Sequence, residues 1–127
     1  MIPQMHVVKV YYVHVDSFCF NVPSEQKTIL PVDIRKKVIY GSKLNGKTAL
    51  ETADKDVAMK FYEEQKKSCG TYKQTGLLTA EVSGTCCYIE AKTQNHRGEH
   101  ISNLGVIDFY AQPYIEEEDE DDVEALF

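Results

Sequence analysis

HVVKVYYVHVDSFCFNV, residues 6–22, gives the clearest indication of the fold class. Valine, tyrosine and phenylalanine recur in it with near alternation, which is typical of a β-strand because successive side chains point to opposite faces of a sheet. The stretch predicts one long strand, or two short strands that meet near Asp16 and Ser17. Residues 23–26, which begin with Pro23, then interrupt the pattern.

The next segments predict a second strand and one helix. Residues 28–40 carry Ile, Leu and Val with Pro31 near their start, which is typical of a strand at a sheet edge. Between about residues 49 and 67 the apolar residues recur at helical spacing, so a helix is expected there. Asp54 is an alternative first residue for its regular part, because a short acidic side chain can cap free backbone amides.

Beyond Gly70 the period of the apolar residues returns to two. Residues 77–82, 85–93 and 101–111 therefore predict three further strands. The order matches a small OB-like β-barrel of about five strands with one α-helix between strands 3 and 4. We predict a mainly β (α+β) fold of this kind for residues 1–115, and a separate acidic C-terminal tail for residues 116–127.

Length and composition limit the chain to ordinary globular classes. Its 127 residues suit one domain, with 43% apolar and 27% charged residues. The first residues lack the pattern of a signal peptide, and no apolar run approaches bilayer thickness. We therefore expect no membrane partner and a cytoplasmic location, or a host cell interior if the chain is viral. The cysteines are then expected to be reduced thiols.

Charge divides the chain into two unequal parts. Eight of its 20 acidic residues lie in residues 116–127, which hold no base, so 12 acids face 14 bases in the remaining body. Such a block cannot bury a core and is typical of an interaction tail, with a purely solubilising tail as the alternative. Its acids would steer it to a basic surface while its apolar end fills a pocket. The residues expected to dock a partner are Glu118, Asp119, Asp121, Asp122, Leu126 and Phe127.

The mildly basic, tyrosine-rich body suits single-stranded nucleic acid, which is held by cations along its phosphates and aromatic faces under its bases. Strand alternation would put Arg35 and Lys37 on one face. Tyr88 and Lys92 would share another. The alternative is that the tyrosines pack at the edges of a core. The complete set of expected nucleic-acid-binding residues is Lys9, Tyr11, Arg35, Lys37, Lys43, Lys47, Lys73, Tyr88, Lys92, Arg97 and Tyr110.

The acidic tail closes in Phe127, and residues 87–93 are joined to residues 105–109 through a polar loop. These features resemble the tail and the DNA-flanking hairpin of bacterial and phage single-stranded-DNA-binding proteins of the OB-fold class. The resemblance implies a replication or repair protein whose tail docks partner proteins or masks the binding groove. We also expect that self-association into a homo-oligomer can assist binding. Residues 124–127 are similar as well to peptides that bind replication sliding clamps.

Two other functions are compatible with the sequence. The first is a protein-interaction or inhibitor module whose acidic tail imitates DNA or docks a clamp. The second is a small nucleotide-binding protein, because residues 41–48 match the phosphate-loop pattern G-x-x-x-x-G-K-T. Lys47 would neutralise phosphates and Thr48 would hold magnesium. That class needs several parallel strands joined by helices, so we favour a simple turn at Asn45-Gly46.

A metal site and a catalytic site are not expected. Cys86, Cys87, His96 and His100 have suitable donor atoms for zinc. However, neighbouring residues of a strand point to opposite faces, so the two thiols could not easily reach one ion. No pattern of a known nucleophile or zinc protease occurs. The sequence therefore predicts a binding protein that is not an enzyme and has no cofactor.

Overall fold

The computed structural model describes residues 7–39 and 47–116 of the protein. Lys43 and the six expected docking residues of the tail lie outside the described residues. Seven strands and two helices occur in the described part. They are β1 (Val8–Pro23), β2 (Thr28–Ile29), α1 (Pro31–Ile39), β3 (Lys47–Thr52), α2 (Lys55–Lys66), β4 (Gly70–Thr75), β5 (Thr79–Gln94), β6 (His100–Tyr110) and β7 (Tyr114–Ile115).

The centre of the fold is the antiparallel pair of β1 and β5, which stay in register from Val8↔Gln94 to Pro23↔Thr79. β3 pairs with the outer edge of β1, while β4 and β6 pair with successive halves of the outer edge of β5. The resulting sheet curls like half of a barrel, and 57% of the described residues are in strands. The prediction of a mainly β fold is therefore confirmed, although two helices occur where one was expected.

Residues 31–39 form helix α1, so the prediction of a strand over residues 28–40 is wrong. Pro31 stands at the first helical position, where its missing N–H removes no helical hydrogen bond. The Asp33 carboxylate accepts a hydrogen bond at 3.2 Å from the backbone N–H three residues earlier and caps the helix. Ile34 and Val38 are one turn apart and both buried, which gives the helix its apolar face.

Helix α2 begins at Lys55, and Asp54 is its N-cap, which confirms the alternative start and not the earlier one. One Asp54 carboxylate oxygen accepts hydrogen bonds from the backbone N–H groups of Asp56 and Val57 at 3.0 and 3.2 Å. Residues 47–52 form β3 instead of helix, because their backbone pairs with β1.

Strand β5 begins at Thr79, after a turn at Leu77 and Leu78, and continues through both of the segments that the sequence separated at residues 83–84. Gly84 lies at the apparent break, where its backbone passes so close to β4 that a Cβ would collide with the Gly70 carbonyl oxygen. The glycine therefore marks a close backbone approach and not the end of a strand. β4 was not predicted, whereas β1 and β6 confirm the strands expected over residues 6–22 and 101–111.

The sheet carries a core on each face. Helix α1 packs on one face with Phe18, Val82 and Cys86, which belong to the first cluster of buried residues. Helix α2 packs on the other face, where Tyr62 lies with Val13 and Ile89 in the second cluster. The curled sheet is thus sandwiched between two helices, each of which covers only part of its face.

The described part of the chain ends just after strand β7. β7 pairs with β2, and the backbone N–H of Glu116 donates a hydrogen bond to the Lys27 carbonyl oxygen at 2.9 Å. Glu116, the first acid of the tail, is therefore fixed to the body. In the described part of the chain, neither helix has the length and apolar character needed to cross a membrane.

Candidate nucleic-acid interface

Four aromatic rings form a row across three strands on the face that α1 partly covers. Tyr12 and His14 come from β1, with ring centroids 6.3 Å apart and planes 7° apart. Tyr88 of β5 lies 4.9 Å from His14, and Phe109 of β6 lies 6.1 Å from Tyr88. His14 pairs with Tyr88, and Tyr88 with Phe109, in the strand registers. We call these four residues the aromatic row.

Two hydrogen bonds hold the imidazole of His14 in place. Its Nε2 lies 3.1 Å from a Glu90 carboxylate oxygen, and its Nδ1 lies 3.2 Å from the Thr48 hydroxyl oxygen. Because a carboxylate can only accept, Nε2 must carry a proton that it donates to Glu90. In the neutral ring Nδ1 then accepts from the Thr48 hydroxyl. His14 is thus fixed between β3 and β5, and it fixes the rings on either side.

A cation lies at the Tyr12 end of the row. The Lys92 ammonium group is 5.0 Å from the centroid of the Tyr12 ring and 3.7 Å from a Glu90 carboxylate oxygen. Gln94 donates a hydrogen bond from Nε2 to the Tyr12 hydroxyl at 2.7 Å. Lys92 is partly exposed, so its charge can meet solvent as well as the ring.

A second cation lies at the Phe109 end. Phe109 lines a surface cavity of about 220 Å³ together with three residues of α1, namely Pro31, Val32 and Arg35. Helix α1 therefore brings its guanidinium-bearing face to the ring that ends the row. Lys37, two residues further along α1, does not point to this cavity. Its ammonium group lies 5.8 Å from the centroid of the Phe20 ring.

Three rings of the row are partly exposed, and one is buried. Tyr12, His14 and Phe109 are partly exposed, whereas Tyr88 is 3% exposed and belongs to the core beneath α1. Burial, with the nearby Asp16 carboxylate, raises the pKa of Tyr88 to about 12, so its hydroxyl stays neutral. Tyr88 can position its neighbours but cannot stack on a ligand, and the two hydrogen bonds of the His14 ring already hold it in place.

Three of the residues predicted to bind nucleic acid are buried. Tyr11 lies beneath α2, and Tyr88 lies beneath α1. The Lys73 side chain is 1% exposed. The prediction that these three residues bind nucleic acid is therefore wrong, because buried side chains cannot reach a ligand on the surface.

Lys73 has a structural role and not the predicted role in nucleic-acid binding. Its ammonium group donates hydrogen bonds to the carbonyl oxygens of Ser24 and Gln26 at 3.1 and 2.7 Å. It also donates to a Glu116 carboxylate oxygen at 2.9 Å. A buried ammonium needs this full set of acceptors. Lys73 therefore anchors the first residue of the acidic tail.

The structure scatters most of the other predicted residues. Arg35 and Lys37 lie on a helix and not on one strand face, so their expected pairing is wrong. Tyr110 is half-buried on the α2 side, with the Lys66 ammonium group 5.2 Å from its ring. Of the predicted residues that the structure describes, Tyr88 lies within the aromatic row, and Arg35 and Lys92 lie at its ends. Lys9, Lys47 and Arg97 are exposed at separate places.

Sequence reasoning missed Tyr12, His14, Glu90 and Phe109. A signal for the first two exists in β1, where the odd positions 11, 13 and 15 are Tyr, Val and Val, and the even positions 12, 14 and 16 are Tyr, His and Asp. The fully apolar set belongs under a helix, and the polar aromatic set belongs on the more open face. Choosing Tyr11 instead of Tyr12 selected the wrong face.

The phosphate-loop hypothesis finds no support in β3. Lys47 and Thr48 are paired with β1, and the Thr48 hydroxyl is bonded to His14. In a phosphate loop, the lysine and threonine instead stand at the start of a helix. Here the nearest helix begins only at Lys55. Residues 41–46 lie outside the described residues.

The zinc hypothesis also finds no support. Cys86 lies in the core beneath α1 and Cys87 in the core beneath α2, so their thiols occupy opposite faces of the sheet. Burial raises the pKa of the Cys86 thiol to about 12, which disfavours the thiolate that binds metals. Within residues 7–39 and 47–116, no three His, Cys, Asp or Glu side chains are grouped to hold an ion.

Comparison of the chain with protein-family models, with curated proteins and with solved structures gives no significant match. The geometry of the site is therefore the basis for a functional proposal.

Proposed function

We propose that the protein binds single-stranded nucleic acid across the aromatic row. The observation that carries the proposal is the row itself, four rings at 4.9 to 6.3 Å spacing with Lys92 at one end and Arg35 at the other. Single strands are bound by aromatic surfaces that stack on bases and cations that follow the phosphates. A curled sheet of this shape supports such surfaces in OB-like barrels, and we propose that this sheet is used in the same way.

The accessible ends of the row make the contacts. One base stacks at Tyr12 and another at Phe109, while His14 and Tyr88 keep the two rings at a fixed separation. Lys92 and Arg35 then neutralise phosphates on either side. The hydrogen bonds of His14 to Thr48 and Glu90 pre-organise the site, which lowers the entropy lost on binding. In this function the protein is a binder, not an enzyme.

The acidic tail regulates the same surface or recruits a replication or repair protein. Lys73 and the Lys27 carbonyl fix Glu116 next to β2, and β2 leads directly into α1. Arg35, Lys36 and Lys37 form a run of cations on that helix. Tail carboxylates and nucleic-acid phosphates compete for them, and a partner that captures the tail removes the competition.

Fluorescence anisotropy with a labelled oligothymidine at low salt tests the proposal. We expect Tyr12→Leu and Phe109→Leu each to weaken binding about tenfold or more, because base stacking contributes roughly 1–3 kcal/mol per base. Arg35→Ala should weaken binding, and it should reduce the slope of log affinity against log salt concentration by about one, because one phosphate contact is lost. Tyr72→Leu is the matched control, because Tyr72 is an exposed tyrosine of β4 away from the row. Unchanged affinity in the first two variants contradicts the proposal.

A protein-interaction module is the second candidate, favoured by the exposed leucines 77 and 78 between β4 and β5. In that case the body without its tail shows no affinity for oligonucleotides at low salt, and the isolated tail captures a basic DNA-processing protein. The two functions are therefore separated by one binding titration with the truncated protein.

A further inference from the structure

Two leucines protrude from the turn that joins β4 to β5. Leu77 is 96% exposed and Leu78 is 81% exposed. The turn is closed by a hydrogen bond from Gly76 N to Thr79 O at 2.9 Å. Ser24 holds it from the neighbouring turn, donating from its hydroxyl to Gly76 O and from its backbone to Leu78 O. These bonds fix the leucines in solvent, and we call Leu77 and Leu78 the knob.

An apolar cavity lies elsewhere on the surface, between β3 and α2. Its volume is about 320 Å³, and it is lined by Leu50, Val57 and Phe61 together with Lys60 and Glu64. A cavity of roughly 150 Å³ with such walls already accepts a benzene molecule. The cavity therefore has room for the side chains of the knob, and we call it the hole.

The knob and the hole of one molecule cannot meet. The knob lies at the end of the sheet where Pro23 pairs with Thr79. The hole lies beside Leu50, which pairs with Val13. Ten residues of β1 separate Val13 from Pro23, which is roughly 33 Å at about 3.3 Å per residue. Any contact between the two features must therefore join two molecules.

We propose that the protein self-associates head to tail, with the knob of one copy inserted in the hole of the next. Each chain carries both halves of this contact, one convex and one concave, and the contact removes both apolar surfaces from water. Because the two halves are different surfaces, the contact is heterologous and leaves a free knob and a free hole at the ends of every assembly. A small interface of this kind is weak, so assembly depends strongly on concentration.

Sedimentation velocity of the full chain without nucleic acid, over a wide concentration range, tests this proposal. The parent protein should grow beyond a dimer as its concentration rises. A knob variant, Leu77→Asp with Leu78→Asp, and a hole variant, Val57→Asp, should each remain monomeric. An equimolar mixture of the two variants should form a dimer and nothing larger, because one intact knob and one intact hole remain per pair.

Each substitution is at an exposed position, and an acid at Val57 suits the first turn of α2, so folding is preserved. Val32→Asp is the matched control, since it changes an exposed valine in the first turn of α1 and should associate like the parent. A monomeric parent at all concentrations overturns the proposal. A hole variant that still dimerises alone, or a mixture that stays monomeric, also overturns it. None of these outcomes depends on nucleic-acid binding.

Discussion

Glu90 reduces the attraction of the Lys92 ammonium group for a phosphate at the proposed interface. Its carboxylate lies 3.7 Å from the Lys92 ammonium group and 3.1 Å from His14 Nε2. A phosphate must share Lys92 with this carboxylate, and like charges that face each other oppose binding. We expect Glu90→Gln to strengthen oligothymidine binding about three- to tenfold at low salt, since the amide keeps a hydrogen-bond acceptor for His14. The same titration with Glu99→Gln, an exposed acid in the β5–β6 turn, should show no such gain.

Asp16 makes stability depend on pH. It is buried on the same face as the aromatic row, and desolvation raises its pKa above the ordinary value of 3.8. An acid with a raised folded pKa stabilises the protein fully below the unfolded pKa and loses that contribution as pH rises through the folded pKa. We therefore expect Asp16→Asn to raise the free energy of unfolding at pH 7, where the buried carboxylate is ionised. Urea titrations should show the gain disappear below about pH 4, and a gain that persists there contradicts the assignment to ionisation.

At the residue scale, the sequence predicted chemical types better than positions. Lys92 and Arg35 are cations that lie beside the aromatic row, although the sequence placed Arg35 on a strand and the structure places it on a helix. Tyr11 and Tyr88 were chosen wrongly, because burial depends on where α1 and α2 pack, and that is decided by contacts between residues distant in the sequence. Periodicity divides a strand into two faces but does not say which face a helix will cover.

The N-cap of helix α2 adds to the stability that its buried apolar face provides. Asp54 satisfies two backbone N–H groups that the first turn leaves free. We expect Asp54→Ala to lower the free energy of unfolding by about 1 kcal/mol, and Asp54→Asn to leave it nearly unchanged because asparagine caps as well as aspartate. Chemical denaturation measures both. Equal losses in the two variants would mean that the negative charge, and not the cap, is what matters.

The elements that the sequence predicted correctly are those with long local signals. β1 and β6 are long segments with several Val, Ile, Tyr or Phe residues each, and the Asp54 cap marks the start of α2. Helix α1 was mistaken for a strand because its Ile and Val content favours strands, whereas the spacing of Ile34 and Val38 is helical. Its packing against the sheet decides between the two. β5 was divided at Gly84 because a glycine resembles an interruption until the backbone of β4 is seen beside it.

At the scale of the whole molecule, the separation of charge between body and tail controls the proposed activity. The Lys73 side chain is buried, and Glu116 supplies its only carboxylate among the described residues, so the root of the tail is structural. Residues 117–127 carry seven further acids and no base. We therefore expect Glu116→Gln to cost about 1 kcal/mol of stability, because the charged partner of a buried ammonium is lost. A chain that ends at Glu116 should unfold like the parent in thermal or urea titrations.

The same truncated chain should bind oligothymidine more tightly than the parent at low salt and lose affinity more steeply as salt is added. Without the tail, nucleic-acid phosphates no longer compete with tail carboxylates for the cations of α1 and for Lys92, and Glu90 remains the one carboxylate described beside Lys92. In the parent, salt weakens the competing tail together with the nucleic acid, so the slope of binding against salt is shallower. Anisotropy titrations of both chains at several salt concentrations give this slope directly. Glu116→Gln is the matched control, because it loses one acid at the root and keeps the remaining tail, so its affinity should stay near that of the parent. Equal slopes and affinities for the truncated chain and the parent would show that the tail does not reach the binding surface.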